Sequence, residues 1–143
     1  MISEKREPIG KYISQIHRKA NSFINKEISK FGIGSGQIMF LIQLYKKDGI
    51  SQEELSENLN IDKGTTCRAI KKLEDENLLI RVKDENDKRA YKLYLTEKSK
   101  EIEGNIKSIL YEWEKSISKD LSQEEVDTLL TVLKKICINQ NIK

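Results

Sequence analysis

The chain has 143 residues, 37% hydrophobic and 34% charged, with one proline and a net charge of only +3. That length suits about one domain, and the mixture points to a soluble, largely helical protein rather than a disordered one; no apolar run approaches the roughly 18 residues that cross a bilayer. The opening MISEKREPIG lacks the apolar core of a signal peptide, so a cytoplasmic location is expected.

Pro8 is placed to open a helix, and Ile9, Ile13, Ile16, Ala20, Phe23, Ile24 and Ile28 follow at spacings of three and four, which predicts a long amphipathic helix ending near Lys30. The glycine-rich stretch Phe31 to Gly36 superficially suggests a phosphate-cradling loop. It follows a helix rather than a strand, however, and reads as a connector. A second helix is expected from Gln37 to Lys47, ended by Asp48 and Gly49. Ser51 and Glu54 have the spacing of a capping box for a short third helix reaching Leu59, and Asp62 can cap a fourth. That fourth helix divides its side chains: Thr66, Ala69, Ile70 and Leu73 on one face, Lys63, Thr65, Arg68 and Lys72 largely on the other. Two short helices so joined, the second basic outside, form a helix-turn-helix. Ile80 to Lys83 and Tyr91 to Leu95 alternate apolar and polar residues and predict a β-hairpin, whose tip after a recognition helix is a wing.

Thr96 caps a predicted fifth helix carrying Ile102, Ile106, Ile109, Leu110, Trp113 and Ile117. Ser122 and Glu125 form a second capping box for a sixth, with Val126, Leu129, Leu130, Leu133, Ile136 and Cys137. A compact winged module cannot cover all these stripes, so burial against a second copy is expected, with Ile9, Ile13, Ile16, Val126, Leu129, Leu133 and Ile136 at the interface. The fold class is mostly α with a small β-hairpin. Residues 1–34 form an N-terminal dimerisation helix, 35–96 the winged helix-turn-helix region and 97–143 the C-terminal dimerisation helices, within one structural domain.

Charge is unevenly distributed. From Lys63 to Lys92 there are nine basic and six acidic residues, while the rest of the chain holds 17 of each. The whole net charge therefore lies in one segment, as expected for a polyanion footprint or, on charge alone, for an ordinary solvated face. Enzyme chemistry is a distant reading. Cys67 and Cys137 are far apart with His17 the sole histidine, which leaves no zinc ligand set and no recognisable nucleophile context. Neither metal nor cofactor is expected.

The wing stretch Asp84-Glu-Asn-Asp-Lys-Arg-Ala90, followed by Leu95-Thr-Glu-Lys98, resembles the D-x-x-D-x-R-A and L-T-E-K-G pattern of the MarR family of bacterial transcriptional regulators. Ser51 to Leu59, the recognition-helix stretch to Glu74, and Leu78-Leu-Ile-Arg81 are similar to the family as well. Ser99 and Asn77 depart from it, each standing where the family commonly has glycine. The resemblance implies a triangular dimer with interleaved first, fifth and sixth helices, an inverted-repeat operator, and release by a small aromatic or phenolic ligand. A winged-helix module docking on an acidic protein surface is the alternative reading.

Individual roles follow from side-chain chemistry. Arg89 at the wing tip suits the narrow minor groove, with Asp87 supporting it through an ion pair, and Lys88 suits phosphate. Arg68 can pair with guanine, Thr65 or Thr66 can meet a thymine methyl, and Lys63 and Lys72 suit phosphates. Core packing is the competing role for Thr66. Cys67 and Cys137 read as small packing residues rather than redox sensors. Tyr12, Ile16 and His17 are candidates to line an effector cavity against the second and fifth helices, with Arg18 facing an acidic ligand; an ordinary interhelical histidine is the alternative for His17.

Overall fold

The computed structural model describes residues 6–142. Its elements in chain order are α1 (Ile9–Ile28), a 3-10 turn (Ser29–Phe31), α2 (Ser35–Lys46), α3 (Gln52–Leu59), α4 (Lys63–Asp75), β1 (Leu79–Lys83), β2 (Tyr91–Leu95), α5 (Glu97–Glu101), α6 (Glu103–Ser118) and α7 (Gln123–Asn139). None of the described helices is long and apolar enough to cross a membrane.

Local signals in the sequence set most of these boundaries. Pro8 is the residue before α1 rather than its first turn, with φ −71° and an extended ψ. The connector turns through Gly32 at φ 78°, where the Glu76 carboxylate lies against the space a Cβ would occupy. Gly34 has no side chain to cap α2. Instead the Gln37 side chain accepts the Gly34 N–H at 2.8 Å, and Asn25 of α1 accepts the Ser35 N–H at 2.6 Å. Ser51 caps α3 through the Glu54 N–H at 3.0 Å, but the Glu54 carboxylate turns away to Lys47 at 2.9 Å, so only half of the expected box forms. Both halves form at Ser122 and Glu125, with bonds of 3.1 and 3.0 Å.

The expected fifth helix is interrupted. Ile102, at φ −92° and ψ 0°, separates α5 from α6. Asn77 adopts φ 60°, a left-handed conformation that asparagine tolerates and that explains why this position suits glycine elsewhere. Ser99 is helical and fully buried, its hydroxyl donating to the Thr96 carbonyl at 2.8 Å.

One apolar core holds the chain together. It joins Ile24 and Ile28 of α1, Phe40, Leu41 and Leu44 of α2, Leu55 of α3, Ile70 and Leu73 of α4, Leu93 of β2, and Ile106 and Ile109 of α6. Tyr45 adds a polar tie at its edge, donating its phenol to the Ser99 carbonyl at 2.5 Å and so joining α2 to α5. Burial, reinforced by the Glu103 carboxylate, raises the Tyr45 pKa above the ordinary phenol range. The hairpin is antiparallel, with Leu79 opposite Leu95 and Lys83 opposite Tyr91. Residues just before α3 pair with its other edge: Gly49 N–H donates to Leu93 O at 2.8 Å, and Leu93 N–H donates to Ile50 O at 2.9 Å.

The first half of α1 and the whole of α7 look outward. Ile9, Ile13 and Ile16 are 55%, 45% and 54% exposed, and α7 has no buried residue at all. Leu129 and Leu133 are exposed, while Val126, Ile136 and Cys137 are half-buried.

Candidate nucleic-acid interface

Asp62 begins the interface. Its carboxylate caps α4 by accepting the Thr65 N–H and hydroxyl, each at 2.8 Å. The backbone bond first, the hydroxyl second and the nearby Arg68 charge together hold its pKa below the usual carboxylate value. The buried face of α4 consists of Thr66, Ala69, Ile70 and Leu73. Lys63, Thr65, Arg68 and Lys72 are all exposed, which is the division the helical spacing predicts.

Two residues of α4 need correction. Thr66, a candidate thymine contact, is 1% exposed, its hydroxyl within bonding distance of Ser56 Oγ at 3.1 Å and the Asp62 carbonyl at 2.9 Å. It knits α3 to α4, so its core role is the one realised. Cys67, expected to pack, is exposed, because the position after Thr66 rotates out of the core.

The hairpin alternates in the opposite phase on its first strand. Ile80 and Val82 are 51% and 44% exposed, while Leu79 is buried and Arg81 turns inward. The strand begins at Leu79, one residue earlier than the predicted segment, and Leu79 and Arg81 share the inward face with their cross-strand partners Leu95 and Leu93. Arg81 is thereby withdrawn from the basic surface. Its guanidinium stacks over the Tyr91 ring at 4.3 Å, with Nε 3.9 Å from the Glu74 carboxylate of α4. This contact ties the wing strands to the recognition helix, and neither Tyr91 nor Glu74 stood out in the sequence.

The wing loop is shaped by its own aspartates. Asp84 accepts the Asn86 N–H at 2.9 Å and Asp87 accepts the Arg89 N–H at 3.0 Å, the short-range turns this residue type favours. The expected Asp87 to Arg89 ion pair is absent among the described residues: Asp87 holds the backbone of Arg89 rather than its guanidinium. Lys88 and Arg89 remain exposed. Asp87, Arg89, Ala90 and Tyr91 line one cleft of about 290 Å³ with Ser51, Gln52, Glu53, Ser56, Lys63 and Thr66. The base of the wing and the start of α4 thus line one surface, where the cations Lys63 and Arg89 stand with the carboxylates Glu53 and Asp87. Gln52 places a buried amide oxygen in this region with no hydrogen-bond partner.

The residues proposed for an effector cavity stand elsewhere. Tyr12, Ile16, His17 and Arg18 are exposed on the first half of α1, where Arg18 donates to Ser14 Oγ at 2.5 Å and His17 lies 3.2 Å from the Asn21 amide. A separate cavity of about 500 Å³ between α1 and α6 is lined by Phe23, Glu27, Lys30, Asn105, Ile109 and Glu112, and by none of those four.

Comparison with known proteins agrees with this geometry. The MarR family model matches residues 33–91, from the connector to the second wing strand. The chain is 34% identical over 114 residues to the HTH-type transcriptional regulator BilQ of Clostridium symbiosum, spanning 80% of this chain and 79% of that protein. A MarR transcriptional regulator from Methanosarcina mazei Go1 shares 44% identity with a TM-score of 0.86, over 92% of this chain and 95% of the other. A mutant MarR from E. coli, solved in complex with operator DNA, shares 26% identity with a TM-score of 0.82, over 90% and 93% of the two chains. Sequence and fold agree over nearly the whole length, and the chain belongs to the MarR family of winged-helix, DNA-binding transcriptional regulators.

Proposed function

We propose that this regulator is a homodimeric repressor that binds an inverted-repeat operator in double-stranded DNA and is released by a small aromatic or acidic effector. The observation that carries the DNA reading is the shared cleft, where Lys63 of α4 and Arg89 of the wing meet on one surface. A recognition helix in the major groove, with the wing reaching the adjoining minor groove, uses that pairing of elements. Lys63, Lys72 and Lys88 contact phosphate and hold register, Arg68 reads a base edge, and Arg89 enters the minor groove. The E. coli relative solved in complex with operator DNA supports DNA as the partner.

Pairing of two copies is supported by the uncovered apolar faces of α1 and α7. A two-fold dimer would bury Ile9, Ile13 and Ile16 with Leu129 and Leu133, and set two recognition helices about 34–36 Å apart along one duplex. Tyr12, Ile16, His17 and Arg18 lie on that same outward half of α1, so a pocket built from them is completed by the partner.

Titration with a duplex from the protein's own promoter and with a random duplex tests the reading. Specific binding is expected, with log affinity falling against log salt at about −0.9 per phosphate neutralised. Absence of affinity for either duplex at low salt would refute it. A second reading, docking on an acidic protein, draws on the exposed apolar face of the hairpin, Ile80, Val82 and Tyr94; pull-downs that survive nuclease treatment would favour it.

A further inference from the structure

Three side chains run in series from the N-cap of α4 across its first two turns. Asp62 Oδ2 lies 2.8 Å from Thr65 Oγ1, and Thr65 Oγ1 lies 3.1 Å from Arg68 Nη2. Only one proton arrangement satisfies both contacts. A guanidinium donates and never accepts, and an ionised carboxylate accepts and never donates. Thr65 therefore gives its single hydroxyl proton to Asp62 and receives Arg68 on a lone pair. The Thr65 N–H occupies the other carboxylate oxygen at 2.8 Å, so Asp62 cannot swing away without uncapping the helix. The guanidinium is held over Gly64, where an added Cβ would stand 3.5 Å from Arg68 Nη1 and 3.3 Å from Asp62 Oδ1.

We propose that Asp62 and Thr65 are positioning residues that fix the rotamer of Arg68, and through it the base preference of the interface, without reading a base edge themselves. The inference rests on α4 being the recognition helix. A free arginine loses several rotatable torsions when it docks on a base, and one already held loses fewer. With its proton committed to Asp62, the Thr65 hydroxyl has none to offer a base acceptor. All three residues are exposed in the free protein. Closing the groove over them removes water and strengthens the charge-assisted bonds of the relay. Discrimination at the Arg68 base pair therefore depends on residues that do not touch it.

The test is a set of single-base variants of the promoter duplex, titrated at constant salt against wild type, Arg68→Ala, Thr65→Val, Thr65→Ser and Asp62→Asn. Asparagine caps a helix about as well as aspartate, so Asp62→Asn keeps the cap while removing an acceptor. Arg68→Ala is expected to lower discrimination at one base pair by about fivefold or more. Thr65→Val and Asp62→Asn should reproduce the loss at that same base pair with an unchanged salt dependence, and Thr65→Ser, which keeps the hydroxyl, should retain discrimination at that base pair. Combining Thr65→Val with Arg68→Ala should add nothing further. Wild-type profiles for Thr65→Val and Asp62→Asn beside an altered Arg68→Ala profile would overturn the relay and leave the recognition helix standing. Uniform weakening on every duplex with the profile intact would also overturn it, as the mark of a merely structural role. A wild-type protein that binds no duplex, or an Arg68→Ala profile identical to wild type, would remove the recognition-helix reading and the relay with it.

Discussion

Replacing Leu129 and Leu133 of α7 by aspartate tests the pairing of two copies directly. The two leucines are 47% and 38% exposed in the single chain. Complete burial of a leucine is worth about 1.5–3 kcal/mol, so the surface still open leaves about 1 kcal/mol per side chain to be gained on association. Two-fold symmetry counts each substitution twice, giving about 4 kcal/mol, or close to a thousandfold in the dimer dissociation constant. Forcing carboxylates into the same contact adds a desolvation cost, which makes a thousandfold the lower expectation. Sedimentation velocity across a concentration series reads this as a shift from dimer to monomer, with operator affinity falling alongside. Neither leucine belongs to the core from Ile24 to Ile109, so the variant should keep its core packing. A double variant that dimerises at the same concentrations as wild type, or a wild type that stays monomeric throughout, would refute the reasoning.

Other outcomes follow from contacts already described. Arg89→Ala should weaken operator binding and flatten the salt dependence by about one unit of slope, read by titration at several ionic strengths. Tyr45→Phe removes one hydrogen bond and leaves the Ser99 carbonyl without its phenol donor, so it should cost about 1 kcal/mol in denaturant unfolding. Because folding raises the Tyr45 pKa, its contribution is complete below the ordinary phenol pKa of about 10 and is lost as pH climbs through the raised value. Wild-type stability should therefore decline on the alkaline side, and Tyr45→Phe should flatten that decline. Gly32→Ala places a side chain at φ 78° beside the Glu76 carboxylate and should lower stability by about 1–2 kcal/mol, measured by chemical denaturation.

Periodicity and caps made most of the helical framework legible. Asp62, Ser51, Thr96 and Ser122 each accept the N–H three residues on, as their positions before apolar repeats suggested. The split of α4 into a buried face and a basic face was likewise written in its spacing. Phase was harder to read. The hairpin segment holds apolar residues at Leu79, Ile80 and Val82, and alternation alone cannot say which set faces inward; the buried Leu93 opposite Arg81 decides it. Contacts that a side chain makes with a group distant in sequence left no local trace: Asn25 on the Ser35 N–H, Tyr45 on the Ser99 carbonyl and Arg81 on the Tyr91 ring all depend on tertiary proximity. The break at Ile102 also went unread, since the apolar repeat continues across it.

The position of α7 after every element of the core sets an order of events at the ribosome. All the side chains from Ile24 to Ile109 have been synthesised before α7 is complete. At about 5–20 residues per second, the stretch from Ile109 to the end of α7 takes only seconds to make, so the α6 part of the core and α7 leave the ribosome in close succession. The two faces proposed to pair therefore bracket the core in order of synthesis: the α1 face, Ile9, Ile13 and Ile16, is made before it and the α7 face, Leu129 and Leu133, after it, so neither face alone can join two unfinished chains.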